Sequence, residues 1–169
     1  RFAVEIVARM REAVGPDFII IYRLSMLELV PEGLRWDEIV AQAKAIEAAG
    51  ATIINTGIGW HEARVPTIGT SVPRAAFASV TAKLKPYVRL PLVATNRINM
   101  PDVAEQILAS GHADMVSMAR PLLADLQWLN KAKSGKSLLI NTCIACNQAC
   151  LDHVFENKNA SCLVNPRAC

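Results

Sequence analysis

Long apolar runs are missing from this sequence. Although 52% of its 169 residues are apolar, charged residues interrupt them well short of the ~18 consecutive apolar positions that a membrane-spanning helix needs. No membrane role is expected. A one-sided charge is missing too: 18 Lys and Arg against 15 Asp and Glu give a net charge of +3. The signs are interspersed, which leaves no contiguous basic footprint for nucleic acid. Aromatic residues are few, and Trp36, Trp60 and Trp128 are too scattered to form a stacking platform. No Gly-x-Gly-x-x-Gly follows any apolar run, so the phosphate-binding turn of a doubly wound dinucleotide domain is absent. Neither an initiator Met nor a signal peptide precedes Arg1-Phe2-Ala3, which already reads as helix. The expectation is a stretch of a longer, cytoplasmic protein.

What is present is an alternation of helical and strand-like segments. Val4, Val7, Met10, Arg11 and Val14 recur at helical spacing, and Gly15-Pro16-Asp17 ends that period. Phe18-Ile19-Ile20-Ile21-Tyr22 then has the β-branched, apolar composition of a strand buried on both faces. The spacing predicts helices over residues 36–49, 73–84, 101–109 and 121–133, and strands over residues 51–56, 92–95 and 115–118. Four strand-then-helix units preceded by one helix imply crossovers and parallel strands. Polar or basic residues stand at or after each strand: Arg23, Asn55 with His61, Asn96 with Arg97, and Arg120. A closed barrel collects such strand ends into one site, and a complete one takes eight strands and typically ~250 residues. Residues 1–135 are therefore read as an α/β domain, the C-terminal half of a TIM (β/α)₈ barrel with its strands 5–8.

From Ser134 onward the pattern becomes a Ser/Gly/Lys linker, and residues 136–169 are read as an irregular cysteine-bearing segment. All five cysteines fall in the last 27 residues. Cys143, Cys146, Cys150 and Cys162 form the pattern C-x₂-C-x₃-C-x₁₁-C. Three thiolates on one tight turn, with a fourth returned by a short loop, suit a [4Fe–4S] cluster, in which each iron takes one cysteine sulfur. A structural Cys₄ zinc would show two C-x₂-C knuckles, and only one is present. Disulfides do not suit the composition of a cytosolic enzyme. Cys169 is left over as an ordinary small residue.

The run Cys143-Ile-Ala-Cys-Asn-Gln-Ala-Cys-Leu-Asp, continuing to Ser161-Cys-Leu-Val-Asn-Pro-Arg-Ala-Cys169, resembles the segment that follows the barrel in bacterial 2,4-dienoyl-CoA reductases. So do Tyr22-Arg23-Leu24-Ser25, Asn55-Thr-Gly-Ile-Gly-Trp-His61-Glu-Ala-Arg64 and Met118-Ala-Arg-Pro121. These enzymes belong to the iron–sulfur branch of the old yellow enzyme group. The resemblance implies FMN in the barrel and a [4Fe–4S] cluster on the cysteines. It further implies an absent N-terminal half-barrel, an absent C-terminal domain holding FAD and NADPH, and an acyl-CoA substrate. The implied activity is NADPH-dependent reduction of 2,4-dienoyl-CoA thioesters in unsaturated fatty acid β-oxidation. An amine dehydrogenase or betaine demethylase of the same branch, or a non-catalytic electron-transfer piece, remains as an alternative.

By that resemblance His61 is the catalytic acid opposite the hydride, a role that a near-neutral imidazole suits. Glu62, Ala63 and Arg64 are substrate contacts in the same loop. Arg23 is read as ending the fifth barrel strand, where a fixed cation near the electron-rich edge of the flavin would stabilise its anionic reduced form. The loops Asn96-Arg97-Ile98-Asn99 and Ala119-Arg120 follow strands seven and eight, where barrels commonly bind phosphate. Their backbone N–H groups, with Arg97 or Arg120 as the charged clamp, would hold the FMN phosphate. His112 and His153 are read as structural or exposed.

Overall fold

The computed structural model describes residues 1–60 and 63–168. In chain order the elements are α1 (Phe2–Val14), β1 (Ile21–Leu27), α2 (Trp36–Ala48), β2 (Ile53–Ile58), α3 (Ala78–Leu84), β3 (Leu92–Ala94), α4 (Pro101–Ala109), β4 (Met115–Val116), α5 (Arg120–Ala124) and α6 (Trp128–Lys133), with short 3₁₀ and π turns between and after them. Among the described residues no helix is long and apolar enough to cross a membrane. Two compact units are distinguished. The first comprises Arg1–Val65, Phe77–Thr95 and Ile107–Ser117, and the second Pro66–Ala76, Asn96–Gln106 and the chain from Met118 onward.

The first unit contains the whole sheet. Its four strands are parallel and lie in the order β1-β2-β3-β4, the arrangement expected when each strand is joined to the next by a crossover. Leu24 and Met26 of β1, Ile54 and Ile58 of β2 and Leu92 of β3 pack with Ile39 and Ala43 of α2 and Leu84 of α3 into one buried cluster. Burial of Ile39, Ala43 and Ile46 on α2 follows the spacing that puts residues on one helix face. A hydroxyl network crosses the same layer: Thr56 Oγ1 lies 2.8 Å from Thr81 Oγ1 and donates to the Val93 carbonyl at 2.8 Å, while Thr95 Oγ1 donates to the Thr56 carbonyl at 2.7 Å. On α1 only Val7 of the periodic residues is buried, whereas Arg11 reaches from its Nε to the Gly50 carbonyl at 2.9 Å and from its Nη2 to Thr52 Oγ1 at 3.1 Å.

Of the element boundaries that differ from the periodicity, three have a clear local reason. Phe18 and Ile19 are 60% and 61% exposed rather than buried in a strand. Pairing starts only where Thr52 Oγ1 accepts the Ile20 N–H at 2.9 Å and Thr52 N–H bonds the Ile20 carbonyl at 2.8 Å; residues 18 and 19 still belong to the exit from the Pro16 turn. Residues 73–77 are not helical, because Ala75 takes a left-handed φ of 55° and its N–H bonds the Arg97 carbonyl at 3.1 Å. The helix expected over residues 121–133 is broken into α5 and α6 at Asp125, whose backbone is extended. Its carboxylate accepts the Gln127 N–H at 2.9 Å and the Lys131 Nζ at 2.6 Å.

In the second unit Asp125 acts as a hub, since it also accepts the Asn141 N–H at 2.9 Å and so fixes the chain just before the first cysteine. Trp128 Nε1 donates to the Asn99 carbonyl at 3.1 Å, and Asn99 Nδ2 donates to the Cys143 carbonyl at 2.9 Å. These bonds join α6, the loop after β3 and the cysteine segment.

Candidate cofactor site

On the sheet, the face opposite the apolar cluster carries the polar residues. Alternation along β1 buries Leu24 and Met26 and leaves Arg23 exposed. Arg23 is the third residue of β1 rather than its end, in register with Asn55 of β2; the strand extends past it because its pairing begins later than the apolar run suggested. Its Nη1 donates to Asn55 Oδ1 at 3.5 Å, a weak bond at the edge of normal geometry. The guanidinium lies along the backbone at Gly57, where a Cβ would meet Arg23 Nε at 3.4 Å. A cation beside a polar amide on the exposed side of the strand is suited to an electron-rich ring edge.

Beyond β2 the chain turns at Gly59, with φ 72°, a conformation glycine adopts freely, and Trp60 is 56% exposed. Ala63 N–H bonds the Trp60 carbonyl at 3.2 Å, and Arg64 is exposed. His61 and Glu62 lie outside the described residues.

The second unit gathers arginines. Asn96 and Arg97 take successive left-handed conformations, with φ of 70° and 59°. Asn96 Nδ2 reaches the Thr67 carbonyl at 3.3 Å, and Arg97 Nε donates to the Val72 carbonyl at 2.7 Å, leaving its terminal nitrogens as further donors. Burial, followed by repulsion from Arg120, pushes the Arg97 guanidinium below the ordinary arginine value; Arg74 adds to the repulsion and Cys143 opposes it. Among the described residues no carboxylate pairs with Arg74, Arg97 or Arg120. Cations held together without a counter-charge make a ready anion site. Ile98 and Asn99 are 3% and 4% exposed; Asn99 Nδ2 is committed to the Cys143 carbonyl, while its Oδ1 is buried with no hydrogen-bond partner among the described residues. Ala119 is exposed at the start of α5.

Cys143, Cys146, Cys150 and Cys162 are all free thiols. They line one concavity together with Arg120, Asn147 and apolar neighbours, enclosing about 310 Å³ of empty space with its open mouth included. Cys150 lies on the π turn Gln148–Asp152, preceded by left-handed Asn147 with φ 66°. The fourth cysteine is returned by the bond from Ser161 N–H to the Ala149 carbonyl, 2.6 Å long. Burial pushes the Cys143 thiol up, with Cys162 and Cys150 adding to the rise; the Ala145 N–H and Arg120 pull the other way. Among the described residues no three His, Cys, Asp or Glu side chains converge on a position that would hold one metal ion.

Sequence reasoning missed Arg74, Asn147 and Asp125. Asn147, placed between two cysteines, carried a signal, since asparagine tolerates the left-handed region better than most residues. The other two carried none. His112 is half-buried, and His153 Nδ1 lies 3.2 Å from the Asn159 carbonyl.

A parallel α/β sheet carrying an exposed arginine, with arginines that have no carboxylate partner among the described residues in the loops after its third and fourth strands, has the form of part of a flavin-binding barrel. The chain belongs to the NADH:flavin oxidoreductase / NADH oxidase family, whose model matches residues 1–138; FMN is the cofactor this family implies. It is 47% identical over 167 residues to a metal reductase of Desulforamulus reducens, covering 99% of this chain and 25% of that protein. Its structure resembles a 2-naphthoyl-CoA reductase in complex with 2-naphthoyl-CoA, with a TM-score of 0.96 and 34% identity over 99% of this chain and 26% of the other. Histamine dehydrogenase from Rhizobium sp. 4-9 matches with a TM-score of 0.85 and 26% identity, over 99% of this chain and 24% of the other. The chain spans about a quarter of the length of these relatives.

Proposed function

We propose that this chain is the part of an FMN- and [4Fe–4S]-dependent oxidoreductase that joins the flavin barrel to its iron–sulfur cluster, and that the whole enzyme reduces an unsaturated acyl-CoA thioester of the 2,4-dienoyl-CoA class. The observation that carries the reading is the set of four free cysteines lining one cavity with an arginine. Thiols that share a cavity without meeting at one point fit a cluster, where each iron takes its own sulfur, better than a single zinc. Bound there, the cluster would supply single-electron transfer, and FMN would supply hydride transfer. This chain's own residues bind and orient. Cys143, Cys146, Cys150 and Cys162 would hold the irons, Arg97 with the backbone of residues 96–99 and 119–120 would hold the FMN phosphate, and Arg23 would stabilise charge at the ring edge. His61 would protonate substrate, with Glu62, Ala63 and Arg64 at the thioester. FAD and NADPH would belong to a further domain.

Support for the thioester comes from the likeness to the 2-naphthoyl-CoA reductase complex. A second reading, electron delivery to a metal ion as substrate, is favoured by the 47% identity to the metal reductase. Oxidation of an amine has the lower identity of the histamine dehydrogenase behind it.

Anaerobic iron and sulfide analysis with EPR tests the cofactor, comparing wild type with Cys150→Ala. About four irons and four sulfides per chain, lost in the variant, are expected; zinc without sulfide refutes the scheme. NADPH oxidation by the full-length enzyme with dienoyl-CoA or a ferric chelate as electron acceptor, measured in parallel with histamine-dependent reduction of an added artificial electron acceptor in the absence of NADPH, separates the substrates.

A further inference from the structure

The cysteine turn is fastened to the start of α5 by one charge-assisted bond. Arg120 Nη1 donates to Asn147 Oδ1, and among the described residues lining the cysteine cavity Arg120 alone is charged. Asn147 stands between Cys146 and Cys150. Its left-handed φ of 66° reverses the chain there, and its carbonyl accepts the Asp152 N–H at 3.0 Å, closing the π turn that carries Cys150. Asparagine adopts a left-handed φ more readily than most residues, and the bond from Arg120 to its side chain is a restraint that holds this one in place. The same guanidinium faces the thiol cavity without a carboxylate partner among the described residues. Its engagement with Asn147 also leaves Arg97 as the better placed of the two arginines to clamp a phosphate.

We propose that Arg120 is a positioning residue for the cysteine-bound group. Its bond to Asn147 sets the turn that presents Cys146 and Cys150, and its positive charge favours the reduced, more negative form of the cluster. The proposal rests on the iron–sulfur reading above. Net charge and hydrogen bonding around a cluster are the terms that tune its potential, and a cation at the wall of a partly desolvated cavity acts there with little screening.

The test is an anaerobic, EPR-monitored redox titration of the full-length protein, with iron and sulfide content measured on the same samples. Arg120→Gln removes the charge, Arg120→Lys keeps it, and Asn147→Gly keeps the left-handed turn while removing the acceptor. At the wild-type midpoint the ratio of reduced to oxidised cluster in R120Q is expected to be about tenfold lower, equivalent to about 59 mV for one electron, with R120K close to wild type. N147G is expected to bind less iron and to show a changed spectrum in its reduced form. A loaded R120Q protein with the wild-type potential, or N147G with the wild-type iron content and spectrum, overturns the proposal while leaving the cluster in place. Wild-type protein that holds no iron and sulfide overturns the cluster reading itself.

Discussion

Asp125 offers the sharpest test of how the cysteine segment is held. It is 4% exposed and accepts three hydrogen bonds, from Lys131 Nζ at 2.6 Å, Asn141 N–H at 2.9 Å and Gln127 N–H at 2.9 Å. Removing one partner of a buried charged pair costs about 3–5 kcal/mol. Asp125→Ala should fall at the lower end, about 3 kcal/mol, because Lys131 is 26% exposed in its side chain and keeps the Leu139 carbonyl at 2.8 Å. For a chain of this length that corresponds to a melting temperature lower by about 6–12 °C, read by circular dichroism. Burial alone would raise the Asp125 carboxyl, but the bonds from Lys131, Asn141 and Gln127 outweigh it and hold the group below its ordinary value. A carboxyl depressed in the folded state contributes its full stability above its unfolded pKa, about 3.9. That contribution is lost as pH falls through the folded value. The stability gap between wild type and Asp125→Asn should therefore be flat above about pH 5 and close progressively below about pH 4. An Asp125→Ala protein melting within about 2 °C of wild type, or a gap that does not narrow on acidification, would refute the reasoning.

Two further outcomes follow from other parts of the molecule. Thr56→Val keeps the side-chain shape but deprives the buried Thr81 hydroxyl and the Val93 carbonyl of a partner; urea denaturation should show a loss of about 2 kcal/mol, with Thr56→Ser retaining more of the stability. Arg97→Gln should weaken FMN binding by about tenfold or more in a fluorescence titration and leave riboflavin, which has no phosphate, unaffected. Equal losses for both flavins would remove Arg97 from the phosphate site.

The helix and strand succession and the parallel order of the sheet were legible because hydrophobic period and residue type act locally; that the cysteine segment packs in one unit with residues 66–76, 96–106 and the chain from Met118 onward was not. Boundaries were less legible where a distant partner decides them. Ala75 is turned left-handed and bonded to Arg97, and Asp125 breaks a helix because its carboxylate finds Lys131, Gln127 and Asn141. The loop Asn96-Arg97-Ile98-Asn99 could be singled out by its composition. That Ile98 and Asn99 are buried while Arg97 is left with its terminal donors depended on how the loop packs.

By itself the sequence determined the alternating α/β architecture, the four-thiol set and the arginines that follow the strands, since these depend on periodicity, composition and spacing along the chain. Only the tertiary structure decided that the four thiols share one cavity, that Arg120 grips Asn147 within it, and that Arg23 lies mid-strand over Gly57 beside Asn55. Those facts depend on contacts between residues far apart in the chain, and chain spacing alone does not encode them.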